Sequence, residues 1–418
     1  MYKIYNYAGN LIKQIIKNIM CVIKRNTYSK HYYQIKGEKA ESILHALAFD
    51  TFLTDWCYLN PKLPNSNEIC DLLVVFDKIA IIWQVKSLKL DKKGKYNRAE
   101  IDKNIRQLSG AKRQLFKVGA PIELENPRRG KELFNPKDIS EVYLISVLFG
   151  KGEDYYSGIE EFKNHSIHVF PGKYAEILLN ELDTITDFIE YIRKKEALFK
   201  VIKKLVILGG EEELLAKYIY ANRSFSDLEK ADFIYIEGDS WARLIKKPEY
   251  IAKKNEDKIS YLWDSIINTV HRGGVKEYEQ IARELARPNR FFRRILSKAY
   301  FEALKIAQRV KQDVFRRVFE VDGVTYCFLF QDATNPRTIR QDHLASMCWI
   351  ARDLYPNPKI IGIATENTIQ TEGTFDLCFL LLPVITAENR KQIDKIKKET
   401  GIFTNLVQKP YHEEEYPK

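Results

Sequence analysis

The chain predicts an α/β fold: a mixed sheet flanked by helices toward the N-terminus, then a mainly helical region, then a second small α/β unit. Three observations carry this. Ile43, Leu44, Leu47 and Phe52 recur at helical spacing over about Glu38–Thr54. Two apolar runs, Ile69–Phe76 and Ile79–Lys86, are separated only by Asp77-Lys78, a hairpin-length gap. Far downstream, a strand-like run Thr325–Phe330 precedes a helical pattern over Thr338–Leu354 and two further apolar runs, Lys359–Ala364 and Phe375–Leu382.

The elements follow in order. Between residues 10 and 25, Leu11, Ile12, Ile15, Ile16, Ile19, Met20 and Ile23 share one helical face, with Lys13, Lys17 and Lys24 off it. The lysines interrupt the apolar core a secretory signal needs. The helix is expected to dock on the chain's own body or on a second subunit rather than on a membrane surface. After the Glu38–Thr54 helix, a short strand is expected near Trp56–Leu59, then the hairpin. A lysine-rich loop follows, with a helix showing Ile101, Ile105, Leu108 and Leu115 on one face and an apolar strand, Val142–Phe149. Residues from about Tyr174 to Asn222 read as helices, Phe233–Ile236 as a short strand, and Lys258–Val318 as helical again. Expected domains are 1–36 (amphipathic helix and linker), 37–172 (sheet domain), 173–318 (helical) and 319–418 (small α/β unit). Phe330-Gln331-Asp332 loosely echoes Trp83-Gln84-Val85-Lys86 and is followed by the same strand–helix–strand order, so a degenerate internal duplication is one reading.

Composition removes several classes. A 45% hydrophobic and 12% aromatic content is too high for intrinsic disorder. No apolar run reaches the roughly 18 residues of a membrane span; the one near Leu377–Leu382 stops at Pro383. Integral membrane association is therefore not expected, and a cytoplasmic location is. The six cysteines (Cys21, Cys57, Cys70, Cys327, Cys348, Cys378) form no Cys-x-x-Cys pair, and read as reduced buried thiols rather than zinc ligands or disulfides.

The hairpin holds the chemistry. Asp71 stands at the start of its first strand, with Gln84 and Lys86 two apart near the end of the second. Strand side chains alternate faces, so Gln84 and Lys86 point the same way and Val85 the other. Antiparallel pairing brings the start of one strand beside the end of its partner, so Asp71 can meet both at one sheet edge. A carboxylate and an amide oxygen suit a hard divalent cation such as Mg²⁺, with Mn²⁺ as an alternative. Such a cation activates water and polarises a phosphoryl oxygen. An ammonium steadies charge developing on phosphorus.

With Asp71 and Gln84-Val85-Lys86 in this order, the sequence resembles the PD-(D/E)xK nuclease superfamily. It looks most like the Mrr-type restriction-endonuclease branch, where Gln replaces the usual acid. The resemblance covers about Gly37–Gly150. It implies a core of helix, three-strand meander, helix and strand, which matches the order above. It also implies a glutamate given by the first helix, for which Glu41 fits best and Glu38 second. The helix after the lysine would line the substrate groove, placing Arg106, Gln107, Lys112 and Arg113 there. Two departures stand out. Cys70 occupies a position where Pro is common, and Gln84 removes one negative charge, so metal binding would rest more on Asp71, Glu41 or Glu68.

The bland alternatives are specific. Asp77 reads as a turn residue. His45, one turn after Glu41, reads first as a packed histidine, and His165 and His168 flank a strand-like run without an evident nucleophilic partner. Charge is the other signal. The chain's net charge is +11, and from Lys86 to Lys117 eleven basic residues face only Asp91, Glu100 and Asp102. Lys89, Lys92, Lys93 and Lys95 lie in the loop of this stretch. Such an excess beside a phosphodiesterase-like site is expected of a nucleic-acid track, and a solvated lysine face is the alternative. Arg283, Arg287, Arg290, Arg293 and Arg294 are either a second phosphate contact or an internal ion-pair helix.

The leading expectation is thus a metal-dependent endonuclease acting on nucleic acid, DNA before RNA. By family analogy alone its role is bacterial restriction or antiphage defence. A nuclease fold that binds nucleic acid without cleaving it is the alternative, and a scaffold whose basic face meets an acidic protein is the third. A homo-oligomer is compatible with each.

Overall fold

The expected apolar runs become strands of two mixed sheets in the computed structural model, which describes residues 3–8, 37–63, 67–88, 93, 97–117, 119–150, 158–272, 276–310, 313–367, 374–404 and 406–417. The chain divides into a central unit, Thr27–Ile251, and a terminal unit made of Met1–Asn26 with Ala252–Lys418. The stretch expected as one helical domain, 173–318, is therefore shared between the two units. The helix expected over residues 10–25 lies outside the described residues. An unforeseen strand, β1 (Lys3–Ala8), precedes it and belongs to the terminal unit.

The central unit begins with α1 (Gly37–Phe52), then β2 (Cys57–Leu59), β3 (Leu72–Phe76) and β4 (Ile79–Ser87). Next come α2 (Arg98–Phe116), a hairpin of β5 (Ile122–Asn126) and β6 (Gly130–Phe134), and β7 (Glu141–Phe149). A second hairpin, β8 (Gly158–Phe162) and β9 (His165–Pro171), leads to α3 (Gly172–Glu181) and α4 (Ile185–Val201). Thr184 caps α4 by accepting a hydrogen bond from the Asp187 amide at 3.1 Å, which explains the sharp start of that helical pattern. The six-stranded sheet has the order β2-β3-β4-β7-β9-β8. β3 and β4 pair antiparallel, from Leu72 opposite Trp83 to Phe76 opposite Ile79, and β4 runs parallel to β7. Asp77 is the turn residue, with φ 54°.

Alternation along β4 builds two layers. Ala80 and Ile82 join Leu73, Val75, Ile105 and Leu108 in one buried cluster beneath α2. On the other face Trp83, fully buried, meets Phe52 of α1 and Phe188 of α4 at ring-centroid distances of 6.1 and 5.5 Å. Each such aromatic contact is worth about 0.5–1.5 kcal/mol beyond its area burial. Gln84 and Lys86 continue the first layer, so the core packing itself sets which way they face. The helical stretch expected to Asn222 contains one strand, β10 (Lys204–Ile207), before α5 (Glu212–Tyr220). β10 pairs parallel with β11 (Phe233–Ile236) in a separate two-stranded sheet.

In the terminal unit, α6 (Ser240–Leu244) and α7 (Pro248–Glu256) having led out of the central one, come α8 (Tyr261–Arg272), α9 (Lys276–Ala286) and α10 (Arg290–Val310). Then follow β12 (Val314–Val321), β13 (Val324–Gln331), α11 (Arg337–Leu354), β14 (Lys359–Glu366), β15 (Thr374–Leu381) and α12 (Ala387–Thr400). Helix was expected to run to Val318; it ends at Val310, and β12 begins instead. Val-Phe-Arg-Arg-Val-Phe-Glu-Val is rich in β-branched and aromatic residues. Asp322 and Gly323 supply the paired positive φ values, 50° and 72°, that a two-residue hairpin turn needs. The sheet order is β1-β15-β14-β13-β12, with β13 and β14 parallel.

Three arginines of the segment turn inward, while Arg283 pairs with Glu279 at 2.6 Å and exposed Arg287 with Glu284 at 3.1 Å. Arg290 and Arg293 both hold Asp264, at 2.9 and 2.7 Å, and Arg294 holds Asp257 at 3.0 Å and the Glu414 carbonyl at 2.6 Å. All three arginines are buried, so here the ion-pair reading holds and the phosphate-contact reading does not.

The two units share a pattern. α10, the β12–β13 hairpin, α11 and the parallel strand β14 repeat the order and pairing of α1, the β3–β4 hairpin, α2 and β7. Counted from the two turns, Asp322 matches Asp77, and Arg316 takes the place of Asp71. Leu329 takes that of Gln84, and Gln331 that of Lys86. The echo expected between Gln331 and Gln84 is thus displaced by one strand repeat of two residues.

Candidate functional site

At the edge where β3 begins and β4 ends, the Asp71 amide donates at 3.2 Å to the carbonyl of Trp83, the residue already opposite Leu72 in the hairpin. This fixes the Asp71 side chain opposite Gln84. Gln84 Nε2 donates to Asp71 Oδ1 at 2.7 Å, and the Val85 amide donates to Oδ2. The carboxylate is buried, and both its oxygens are held. Gln84 Oε1 accepts no hydrogen bond among the described residues.

Burial pushes the Asp71 carboxyl up to about 7; the Val85 amide opposes this, and the Glu41 and Glu68 carboxylates add to the rise. The first helix thus does bring Glu41 into electrostatic range of Asp71. Glu38 has no described side chain. Glu68, exposed in the loop before β3, also interacts with the Asp71 carboxyl and raises it. His45, expected as a packed residue, is half-buried and its Nε2 lies 3.0 Å from the Asp71 carbonyl oxygen, so it braces the backbone of the site.

Lys86 shares the face of Gln84 but does not touch Asp71 by any described contact. Its Nζ lies 3.9 Å from Glu100 at the start of α2, and its side chain is 28% exposed. It stands beside the carboxylate with a loose counter-ion. Glu100 is the partner sequence reasoning missed, because the loop between residues 86 and 98 hides their proximity. The Val85 amide was missed as well. The signal was present, since the residue between two site side chains presents its backbone at the same edge.

The basic track is described in part. Lys89, Lys92 and Lys95 lie outside the described residues, and Lys93 is exposed. On α2, Arg106, Gln107 and Arg113 are exposed, and neither arginine has a carboxylate partner among the described residues. Lys112 is half-buried, 3.3 Å from His165 Nδ1, and burial lowers its proton affinity. His168 is fully buried against Glu196 at 3.0 Å, and burial lowers it to about 4. It is neutral at ordinary pH and structural. Cys70 is buried, and burial raises its thiol well above the usual range, so it offers no thiolate.

The donor chemistry suits a hard divalent cation: a desolvated carboxylate, two more carboxylates within electrostatic range and an uncommitted amide oxygen. Glu41 and Glu68 add to the charge cost of the Asp71 carboxylate, which a cation would relieve. As they stand, however, no three His, Cys, Asp or Glu side chains among the described residues are grouped to hold a metal ion. No helix among them is long and apolar enough to cross a membrane. The chain matches no family model, no curated protein and no solved structure.

Proposed function

We propose that the central unit is a metal-dependent endonuclease that hydrolyses phosphodiester bonds of nucleic acid, DNA before RNA. One observation carries the reading: Asp71, buried and held by Gln84 and the Val85 amide, lies in range of two further carboxylates at the sheet edge that bears Lys86. Asp71, Glu41, Glu68 and Gln84 Oε1 would hold Mg²⁺ or Mn²⁺. When bound, such an ion supplies an activated water and a polarised phosphoryl oxygen.

The chain's own residues divide the remaining work. Gln84 and the Val85 amide lock the Asp71 rotamer, so the carboxylate is preorganised. Lys86, with its counter-ion at 3.9 Å, is free to place its ammonium on a phosphoryl oxygen. Arg106, Gln107 and Arg113 offer charge and hydrogen bonds to the backbone along α2, positioning the substrate without reading its bases.

The test is cleavage of supercoiled plasmid, single-stranded DNA and RNA with Mg²⁺ or Mn²⁺, against a chelator. Cleavage by the parent and none by Asp71→Ala is expected. Equal cleavage by Asp71→Ala would remove the site from the reaction. One observation favours a second reading, a nuclease fold that binds without cutting: both Asp71 oxygens already accept hydrogen bonds, and no three-residue metal grouping stands formed. Retained binding with no cleavage in either metal selects that reading.

A further inference from the structure

The terminal unit carries the same helix–hairpin–helix–strand pattern, but where the central unit has Asp71 it has Arg316. Arg316 faces the α11 side of its sheet, the side that corresponds to the Asp71 face. Its neighbours Val314 and Val318 on alternate positions pack into the buried cluster there. The guanidinium is half-buried, its Nε is shut off from solvent with no acceptor, and no carboxylate pairs with it among the described residues. His343 of α11 lies close by, with Nδ1 likewise enclosed and unbonded. Burial lowers the proton affinity of both, and the Arg316 charge lowers that of His343 further, against a smaller opposing pull from exposed Asp342. A half-buried guanidinium with an enclosed, unbonded Nε and no carboxylate partner among the described residues forms a site that lacks its anion.

The surroundings give that anion a path. In the central unit β2 covers the outer edge of the hairpin; in the terminal unit β12 is the last strand of the sheet among the described residues. Beside it runs an open groove of about 1730 Å³ between β12 and residues 400–404 and 406–413, lined by Arg316 and by Lys409. Lys409 is exposed and has no carboxylate partner among the described residues. Carboxylates line the groove too, but most are engaged. Glu302 binds Arg317 at 2.6 Å, Glu413 binds Lys298 at 2.9 Å and Glu320 accepts from Asn357, while Asp322 belongs to the hairpin turn.

We infer that Arg316, with Lys409, binds a phosphate of a nucleic-acid backbone laid along the open edge of β12, which makes the terminal unit a binding copy of the fold. A half-desolvated guanidinium is costly alone and strongly favourable once it meets a phosphate. Replacing a carboxylate by a guanidinium at the same fold position turns a cation site into an anion site. The inference stands whether or not the central unit cleaves.

The experiment measures binding of labelled single-stranded and duplex oligonucleotides to the full chain in chelator, across a salt series. Arg316→Gln is expected to weaken binding about tenfold, the loss of one charge-assisted contact. It should also flatten the log–log salt slope by about 0.9 on duplex or about 0.7 on single strands. Arg316→Lys should restore the slope while recovering only part of the affinity, which a mere folding defect would not do. Parent-like affinity and slope in Arg316→Gln would overturn the inference. So would calorimetry in which inorganic phosphate alone loses its binding in Arg316→Gln while oligonucleotide affinity stays, since the site would then serve free phosphate. Loss of an acidic peptide with oligonucleotide binding intact would give the groove to a protein partner instead.

Discussion

Replacing Asp71 by Asn should stabilise the protein, and by an amount that depends on pH. The carboxyl is raised to about 7 in the folded chain, against roughly 3.9 when unfolded. The folded state therefore favours the protonated form. Its contribution to stability is intact below the unfolded value and is lost as pH rises through the folded one. A shift of about three units corresponds to roughly 4 kcal/mol in full, of which roughly 2.5 kcal/mol is lost between about pH 5 and about pH 8. An asparagine keeps one acceptor for the Val85 amide, and the Gln84 amide can rotate to accept from its Nδ2, so the local hydrogen bonds survive. Urea unfolding of the full chain at the two pH values is the assay, with equal m-values as the check that the same surface unfolds. The parent should lose more stability than Asp71→Asn between the two pH values, by about 2.5 kcal/mol. The same loss in both would mean that the Asp71 carboxyl titrates normally and that the site is not desolvated.

Other outcomes follow from the same geometry. Lys86→Ala should abolish cleavage while oligonucleotide binding in chelator stays within about twofold, because a single ammonium acting on the reacting phosphate matters most in the transition state; an equal loss of binding would place Lys86 in the track instead. Arg106→Gln and Arg113→Gln should each flatten the salt slope for duplex DNA by about 0.9, additively, and leave sequence preference alone. Asp264→Ala should cost about 3–5 kcal/mol in chemical unfolding, since it strands two buried arginines together. Gly362→Ala in β14 should cost about 1–3 kcal/mol, because the new Cβ would meet Cys348 Sγ at 2.6 Å and Leu344 Cδ1 at 2.8 Å in a closed core.

What could be read in advance followed the strength of the local signal. The β3–β4 hairpin was legible because two apolar runs flank a two-residue turn, and pairing then forces Asp71 beside Gln84. Lys86 was placed on the correct face by alternation, but its distance from Glu100 depends on a loop whose path no periodicity encodes. The β5–β6 hairpin was missed because Glu123, Glu125 and Lys131 make its outer face as charged as a loop, with Glu132 interrupting the inner one. β12 was absorbed into a helix because Arg316 and Arg317 interrupt its apolar alternation, and only the Asp322-Gly323 turn betrays it. β10 is four residues long and finds its partner across α5, a non-local pairing that a propensity window does not see. The buried roles of Arg290, Arg293 and Arg294 were equally hidden. An arginine on a helix looks the same in sequence whether it meets water or Asp264.

The split terminal unit has a consequence for how the protein is made. Strand β1 pairs with β15, Lys3 opposite Phe379 and Ala8 opposite Thr374, although almost the whole chain lies between them. During synthesis β1 emerges before its partner β15 and waits, while every strand of the central sheet can leave the ribosome and pair. Joining the ends of so long a flexible stretch would cost roughly 5 kcal/mol in closure entropy. A central unit that has already folded replaces much of that slack chain by a rigid body and reduces the cost. The order of assembly is then built into the connectivity: the sheet carrying Asp71 can form early, and the sheet carrying Arg316 gains its last strand only after β15 has been made.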